Sequence, residues 1–483
     1  GHRHRQRRRG GLPVTAREVL VLGGGPAGLS TAALLRRRGR DVLAVERDAA
    51  VGGLCRTIRD GGFRFDLGGH RFYSKNADVH AFFADVIGDD LIEVGRRSSI
   101  HFRSRYIDYP IKPWNALRHV GPFTAARIGL DLARLSLPRR PRPPRSLEDW
   151  MRQHYGRTLY ETFFKVYAEK VWGLRADAID AGLAAQRVKG LDLWATLKNA
   201  VFRRTTSAVE SMVERFHYPR FGYGQFCDNL AAELLPSGSV ACATEPVRIR
   251  HDGARVLEVE LRGPGGGGTI RPEQLVSSIP VTSLLRLLEP APPLEVQRAA
   301  AGLGFRAVVF VAVFVDRPSV RPESWIYFPS PQISFGRVTE PRNWSSDMAP
   351  AGQTSIIAEH FCNAGDATWQ ADDAVLAERT ITDLDQRLGL LRRKEVLGTK
   401  VVRAAAAYPR MDTGHRDRLA VIEAWLDRLD NLQAVGRSGM YRYHNTDHVI
   451  ETAFACVDRL SGGAADPRSV NTELSYHEEK RTA

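Results

Sequence analysis

Three glycines and one acid carry the first chemistry legible in this chain. Gly23, Gly25 and Gly28 stand in GxGxxG spacing, with Pro26 and Ala27 between the last two, and Glu46 follows eighteen residues after Gly28. That spacing suits a pyrophosphate. The first glycine allows a tight turn, the second lets the backbone approach the phosphates, and the third lets a helix pack closely on a strand. An acid at the end of the next strand takes ribose hydroxyls. The flanking residues supply the elements this needs. Glu18–Leu22 reads as a short buried strand, Leu29–Arg38 as a helix, and Val42–Val45 as a second strand ending at Glu46. The helix N-terminus would then present free N–H groups and its positive dipole end to the phosphates.

A second glycine turn, Gly52-Gly53-Leu54-Cys55-Arg56-Thr57, follows closely, then Phe65-Asp66-Leu67-Gly68-Gly69-His70. Near the other end stands Asn431-Leu-Gln-Ala-Val-Gly436-Arg437-Ser-Gly439. This arrangement resembles flavoproteins of the glutathione-reductase-like superfamily, which includes amine oxidases and protoporphyrinogen oxidases. The resemblance implies FAD as cofactor, held by both chain ends with other material inserted between. It places Gly23, Gly25, Pro26, Ala27, Gly28, Glu46, Arg47, Gly53, Leu54, Gly69, His70, Val247, Gly436, Arg437, Tyr443 and Asp447 on the cofactor.

Four further segments resemble one branch, the nucleotide-sugar pyranose/furanose mutases of the UDP-galactopyranose mutase type. They are Tyr155-Gly-Arg-Thr-Leu-Tyr160 leading through Phe163-Phe164 to Lys170-Val-Trp172-Gly173; Arg337-Val-Thr339-Glu340; Tyr408-Pro409; and Gly436-Arg437-x-Gly439-x-Tyr441-Arg442-Tyr443 with Asp447. The resemblance runs from residue 17 to about 460. It implies that Arg337 and Arg187 hold a substrate diphosphate, that Tyr408 and Tyr443 donate hydroxyls to it, that Trp172 lines the pocket and that His70 lies beside the flavin. Guanidinium and phenol donors match such an anion physically. The implied reaction is attack of reduced flavin N5 on the anomeric carbon of an NDP-hexose, of the NDP-galactose class, with no net electron transfer. NAD(P)H is the expected reductant, since no separate NAD fingerprint is present. The family tends to carry an acid at the position of Asn445. The residues after His70 (Arg71-Phe72-Tyr73-Ser74-Lys75) differ from the bacterial mutases.

Taken singly, each side chain has a structural reading as well. Arg337 on a strand suits an ion pair. Arg187 on a helix suits a solvated one. Tyr408, Tyr443 and Trp172 could be packing aromatics, His70 a buried histidine, and Cys55 a packed thiol. A FAD-dependent oxidoreductase of amine-oxidase or desaturase type, acting on a small metabolite, is the alternative function.

The chain of 483 residues has room for two or three domains. The fold expected is α/β: a Rossmann-like FAD-binding domain of glutathione-reductase type, a helical insertion and an antiparallel-sheet substrate domain. Residues 1–16 form a disordered basic tail in this reading. Residues 17–98, 218–300 and 411–465 build the FAD-binding domain, 99–217 the mostly helical insertion, 301–410 the substrate sheet, and 466–483 a tail. Residues 76–94 read as helix, Ser99–Tyr109 as paired strands, Phe305–Val315 as a strand, and 372–390 as an amphipathic helix. The last helix begins near Asp447, and a lid loop is expected at 200–208.

The net charge is +14, and five arginines crowd the first ten residues. No recognition module accompanies this charge, so nucleic acid is not expected, while an anionic small substrate is favoured. Five scattered cysteines without a CxxC pair suggest reduced thiols and no metal site. No eighteen-residue apolar run and no signal-peptide core are present, and a cytoplasmic location without a membrane span is expected. Homo-oligomerisation stays open.

Overall fold

The computed structural model describes residues 14–109, 121–137, 142–183, 215–264 and 266–472. Two sheets organise them. In the first, the strands run in the order Leu288–Glu289, Glu245–His251, Val256–Gly263, Gly266–Ser277, Val14–Leu22, Val42–Val45, Val240–Ala241. Val14–Leu22 pairs in parallel with both Val42–Val45 and the long strand Gly266–Ser277. The early part of that long strand takes Val256–Gly263 antiparallel, and its end takes Leu432–Ala434 parallel. The chain therefore returns from residue 432 onto the strand beside the first glycine turn. Helix Pro26–Arg37 packs on this sheet through Leu29, Ala32, Ala33 and Leu35, all fully buried. Helix Thr446–Leu460 packs beside it through Val449, Ile450 and Ala453.

The second sheet has seven strands: Val396–Pro409, Phe305–Val315, Thr354–Cys362, Arg337–Thr339, Trp325–Tyr327, Ser98–Phe102, Arg105–Asp108. Phe305–Val315, second in that order, is a mostly β-branched and aromatic run buried on both faces. One face covers Phe63, Phe65 and Leu67; the other packs on Leu376, Ile381 and Leu384. Helices Pro122–Leu135, Leu147–Tyr155 and Lys165–Trp172 share a third core with Ile100 and Ile107 of the hairpin.

The α/β class holds, and so do most elements expected from the sequence. Helix 76–94 does not. It stops at Ile87, because Gly88 turns the chain at φ +64°, and Leu91–Gly95 then pairs antiparallel with Arg215–Pro219. The first strand also begins at Val14, inside the stretch read as tail. The lid expected at 200–208 lies outside the described residues.

Candidate functional site

A cavity of about 940 Å3 runs between the two sheets. Its first end is the turn after strand Val14–Leu22. Gly23 takes φ +103°, and a Cβ on Gly28 would stand 1.9 Å from the Gly23 carbonyl oxygen, so helix and strand meet backbone to backbone there. No atom lies within 4 Å of a Cβ built on Gly25. Helix Pro26–Arg37 starts at Gly25 without a side-chain cap. Glu46 at the strand end accepts from the Gly24 N–H at 2.8 Å and the Asp48 N–H at 2.9 Å. Gly23, Gly25, Pro26, Ala27, Glu46, Gly53 and Leu54 all line this end, with Arg47 at its exposed rim.

Gly28 and Gly436 work behind the wall. A Cβ on Gly436, at φ +74°, would lie 2.7 Å from the Ala27 Cβ, which keeps the returning chain tight against the first helix. Val247 is off the wall. The ladder slips between Pro246 and Arg248, leaving Val247 bulged and 38% exposed, while Glu245 and Pro246 line the cavity. Asp447 is buried one position beyond the wall residue Thr446, and burial pushes its carboxyl up to about 7.

Gly69 and His70 line the middle of the cavity. Desolvation, with Arg437 and Arg337 near, holds His70 down at about 3, so the imidazole is neutral. Its ring stacks on Tyr223 at 5.1 Å, and its Nδ1 is buried without a hydrogen-bond partner. Behind it Asp66 accepts from Tyr218 Oη at 2.5 Å, Thr57 Oγ1 at 2.6 Å and the Tyr223 N–H at 3.0 Å. These bonds fix the turn. Cys55 is a buried thiol pushed up to about 11, unsuited to redox work.

The far end is built from side chains. Tyr408 and Tyr443 lie nearly parallel, 9° apart with centroids at 6.3 Å, and Trp172 meets both edge-on at 6.0 and 5.8 Å. The Arg437 guanidinium sits 5.4 Å from one tyrosine ring and 5.3 Å from the other, while its Nε donates to the His444 carbonyl. Trp172 owes its place to the end of its helix. Gly173 turns left-handed there, and the Arg306 guanidinium donates to the Val171 and Lys170 carbonyls. Lys170 Nζ is enclosed by the carbonyl oxygens of Phe328, Ser330, Ile333 and Phe335 at 2.7–2.9 Å, tying that helix to the segment ahead of Arg337.

Arg337 reaches the cavity but is committed. Its Nε and Nη2 each donate at 2.7 Å to Glu359, a carboxylate with no exposed surface, its neighbour in register on the next strand. Glu340 takes no part: it accepts from the Val320 and Arg321 N–H groups and the Thr354 hydroxyl. Arg187 lies outside the described residues. The sequence reading missed Glu359, Arg71, Arg96, Tyr109, Trp325 and Tyr327. Arg71 and Arg96 flank Trp325 at 5.6 and 5.7 Å, and Arg96 also covers Tyr109 at 5.6 Å. Tyr109-Pro110 repeats the Tyr408-Pro409 pattern at a strand end, a signal that could have found it.

Residues 26–459 match the family described as flavin containing amine oxidoreductase. The chain belongs to this family. FAD is its cofactor, and the chain fits it: the first end offers uncapped helix N–H groups and open space at Gly25, and the middle offers the orphaned Nδ1 of His70. Similar curated proteins share short stretches with this flavoprotein. The inactive all-trans-retinol 13,14-reductase of Danio rerio is 49% identical over 85 residues, 18% of this chain and 13% of that relative. The all-trans-retinol 13,14-reductase of Macaca fascicularis is 42% identical over 77 residues, 16% of this chain and 13% of that one. The 1-hydroxycarotenoid 3,4-desaturase of Flavobacterium sp. (strain P99-3) is 31% identical over 88 residues, 18% of each. The chain thus spans less than a fifth of these relatives' length. Among solved structures, reduced UDP-galactopyranose mutase superposes with a TM-score of 0.82 at 21% identity, covering 95% of this chain and 99% of that one. Putrescine oxidase bound to putrescine gives 0.63 at 15%, covering 93% and 100%. At these identities the likeness is one of fold. Among the described residues no helix is long and apolar enough to cross a membrane.

Proposed function

We propose that this flavoprotein is a nucleotide-sugar mutase that interconverts the pyranose and furanose forms of an NDP-hexose of the galactose class. The observation that carries the reading is the Trp172–Tyr408–Tyr443 cluster with Arg437 over both tyrosine rings, on the cavity wall with His70. Cationic and phenolic donors gathered at one end suit a diphosphate leaving group better than an amine. The likeness to a reduced UDP-galactopyranose mutase supports the same reading.

In this proposal Tyr408 and Tyr443 donate to the diphosphate oxygens. Arg337 keeps three N–H bonds after giving two to Glu359, so it contributes directed donors rather than a full charge. Negative charge grows on the diphosphate as the anomeric C–O bond breaks, and donors fixed beforehand stabilise it without reorganising. Trp172 sets the pocket edge, and neutral His70 offers its unpartnered Nδ1 for a hydrogen bond. FAD, when bound and reduced, supplies the nucleophilic centre, with NAD(P)H as the proposed reductant. Residues 99–217 and 301–410 are the proposed substrate half, and the cytoplasm the proposed location.

A second reading has its own observation. Leu147, Met151, Phe163, Val171 and Leu183 give the cavity an apolar wall, and the matched stretches belong to reductases and a desaturase. An FAD-dependent oxidoreductase of a small apolar metabolite would use that wall. One experiment separates the two. The dithionite-reduced, FAD-loaded protein is incubated with UDP- and GDP-galactofuranose, and pyranose is followed by chromatography. Conversion only when reduced, weakened in Tyr443→Phe, is the expected result. No conversion by fully loaded, fully reduced protein overturns the galactose mutase and favours the oxidoreductase.

A further inference from the structure

The surface concentrates exposed bulk in one place. On helix Pro122–Leu135, Phe123 is 89% exposed and Leu130 is 52% exposed, and Leu137 in the turn that follows is 61% exposed. Phe123 and Leu130 are seven residues apart, two helical turns, and so share a side of the helix. That side is not the one the core uses: Ile128 and Leu132 are buried with Leu147, Trp150 and Met151. Arg127 and Arg134 are exposed along the same helix. Residues 121–145 hold six arginines and a single acid, Asp131. Asp131 turns inward, accepting from the Thr158 N–H at 2.8 Å and its hydroxyl at 2.7 Å. Its other carboxylate oxygen lies 3.8 Å from the Arg134 guanidinium. Among the described residues of this stretch the outward side is apolar and basic, with Asp131 the single acid.

We propose that the outward side of helix Pro122–Leu135, with Leu137 after it, docks this protein on an anionic lipid bilayer. Charge complementarity selects the occupant. Arginines can lie along lipid headgroups while their stems and the neighbouring Phe and Leu side chains enter the acyl boundary. Phe123 has nearly all its surface exposed, which suits a fluid surface. An amphipathic helix that lies on a membrane differs from one that spans it, and Asp131 packed against Thr158 keeps this helix part of the fold. Its inner side shares a core with Leu147, Met151 and Phe163, which line the cavity, so docking would bring the cavity's apolar wall close to the bilayer.

The test uses the FAD-loaded full chain and sedimentation with vesicles of phosphatidylcholine alone or mixed equally with phosphatidylglycerol. The expected result is binding to the anionic vesicles, weakened by salt, and at least tenfold weaker in Phe123→Asp/Leu130→Asp with FAD content and melting temperature unchanged. Arg127→Glu/Arg134→Glu should lose the preference for anionic lipid. Absence of binding to either vesicle overturns the proposal. So does equal binding by the Phe123→Asp/Leu130→Asp variant, which would move the contact to the basic N-terminal residues. A dimer in solution that this variant dissolves would also overturn it, making the surface a contact between two copies.

Discussion

The two ends of the cavity are built by different means. The glycine end is made of backbone: turns at Gly23 and Gly25, a helix N-terminus, and one carboxylate at a strand end. Its turn, helix start and carboxylate all fall within residues 23–46, with Gly53, Leu54, Glu245 and Pro246 completing the wall, and a substitution in the glycine turn acts by sterics. The aromatic end is made of side chains from five distant segments, around Trp172, Tyr327, Arg337, Tyr408 and Arg437–Tyr443. It has no local grammar, and a substitution there acts through charge and hydrogen bonding. The first end suits the cofactor that the family shares, whereas the second is where the proposed substrate selection would lie.

The sharpest way to break this contrast is the Arg337–Glu359 pair. Arg337→Met leaves Glu359 buried and uncompensated, and should cost about 3–5 kcal/mol in denaturant unfolding. Arg337→Met with Glu359→Leu should recover most of that stability, since both charges leave together. If mutase activity stays lost while stability returns, Arg337 serves the site as well as the sheet. If the double variant remains active, the residue is structural. At the other end, Gly28→Ala puts a methyl 1.9 Å from the Gly23 carbonyl oxygen. It should separate helix from strand, cost about 1–3 kcal/mol as overpacking does, and reduce FAD retention, read from flavin absorbance after gel filtration.

What was legible in the sequence follows the same division. Gly23 to Glu46 could be read because every needed residue falls within one strand–turn–helix–strand unit. The strand Phe305–Val315 was legible because, Arg306 apart, it is a long run of β-prone apolar residues. Glu359 was not, because its meaning depends on strand register: it stands opposite Arg337 only once Arg337–Thr339 pairs with Thr354–Cys362. The strand Leu91–Gly95 was hidden similarly, since its partner Arg215–Pro219 lies far along the chain. Read locally, it was joined to the preceding helix past Gly88.

Asp447 gives a pH test of intermediate size. Its carboxyl is raised by burial to about 7, above its ordinary value. Between about pH 4 and 7 the unfolded chain releases this proton while the folded chain keeps it, so the group costs stability as pH rises, fully above 7. Asp447→Asn should therefore raise the melting temperature at pH 8 and have no such advantage near pH 4. Buried His70, at about 3, and His448, at about 4, act in the opposite sense. They destabilise the fold as pH falls below about 6.5, where the unfolded chain takes up protons that the folded chain refuses. The difference between Asp447→Asn and the parent removes the His70 background and reports Asp447 together with His448, whose Nδ1 lies 3.5 Å from its carboxylate. A pH-independent difference would mean that Asp447 is ionised throughout and held by the cations near it, Arg71 and Lys75.

The smallest effect expected is at Val247, and it tests where the glycine end stops. A side chain in contact with the cofactor would make Val247→Asp costly, because a carboxylate would enter beside a phosphate-bearing ligand. Here Val247 is the unpaired residue of a bulge, partly exposed and off the cavity wall, while Glu245 and Pro246 line the cavity. Val247→Asp should change stability by no more than about 0.5 kcal/mol and leave FAD affinity, measured by fluorescence titration of the apoprotein, within twofold. Pro246→Gly, by contrast, removes a ring that forms part of the wall and should weaken FAD measurably. Equal losses at both positions would mean that the bulge closes when FAD binds. The backbone would then be responding to the ligand, and the glycine end would lose its character as a preformed surface.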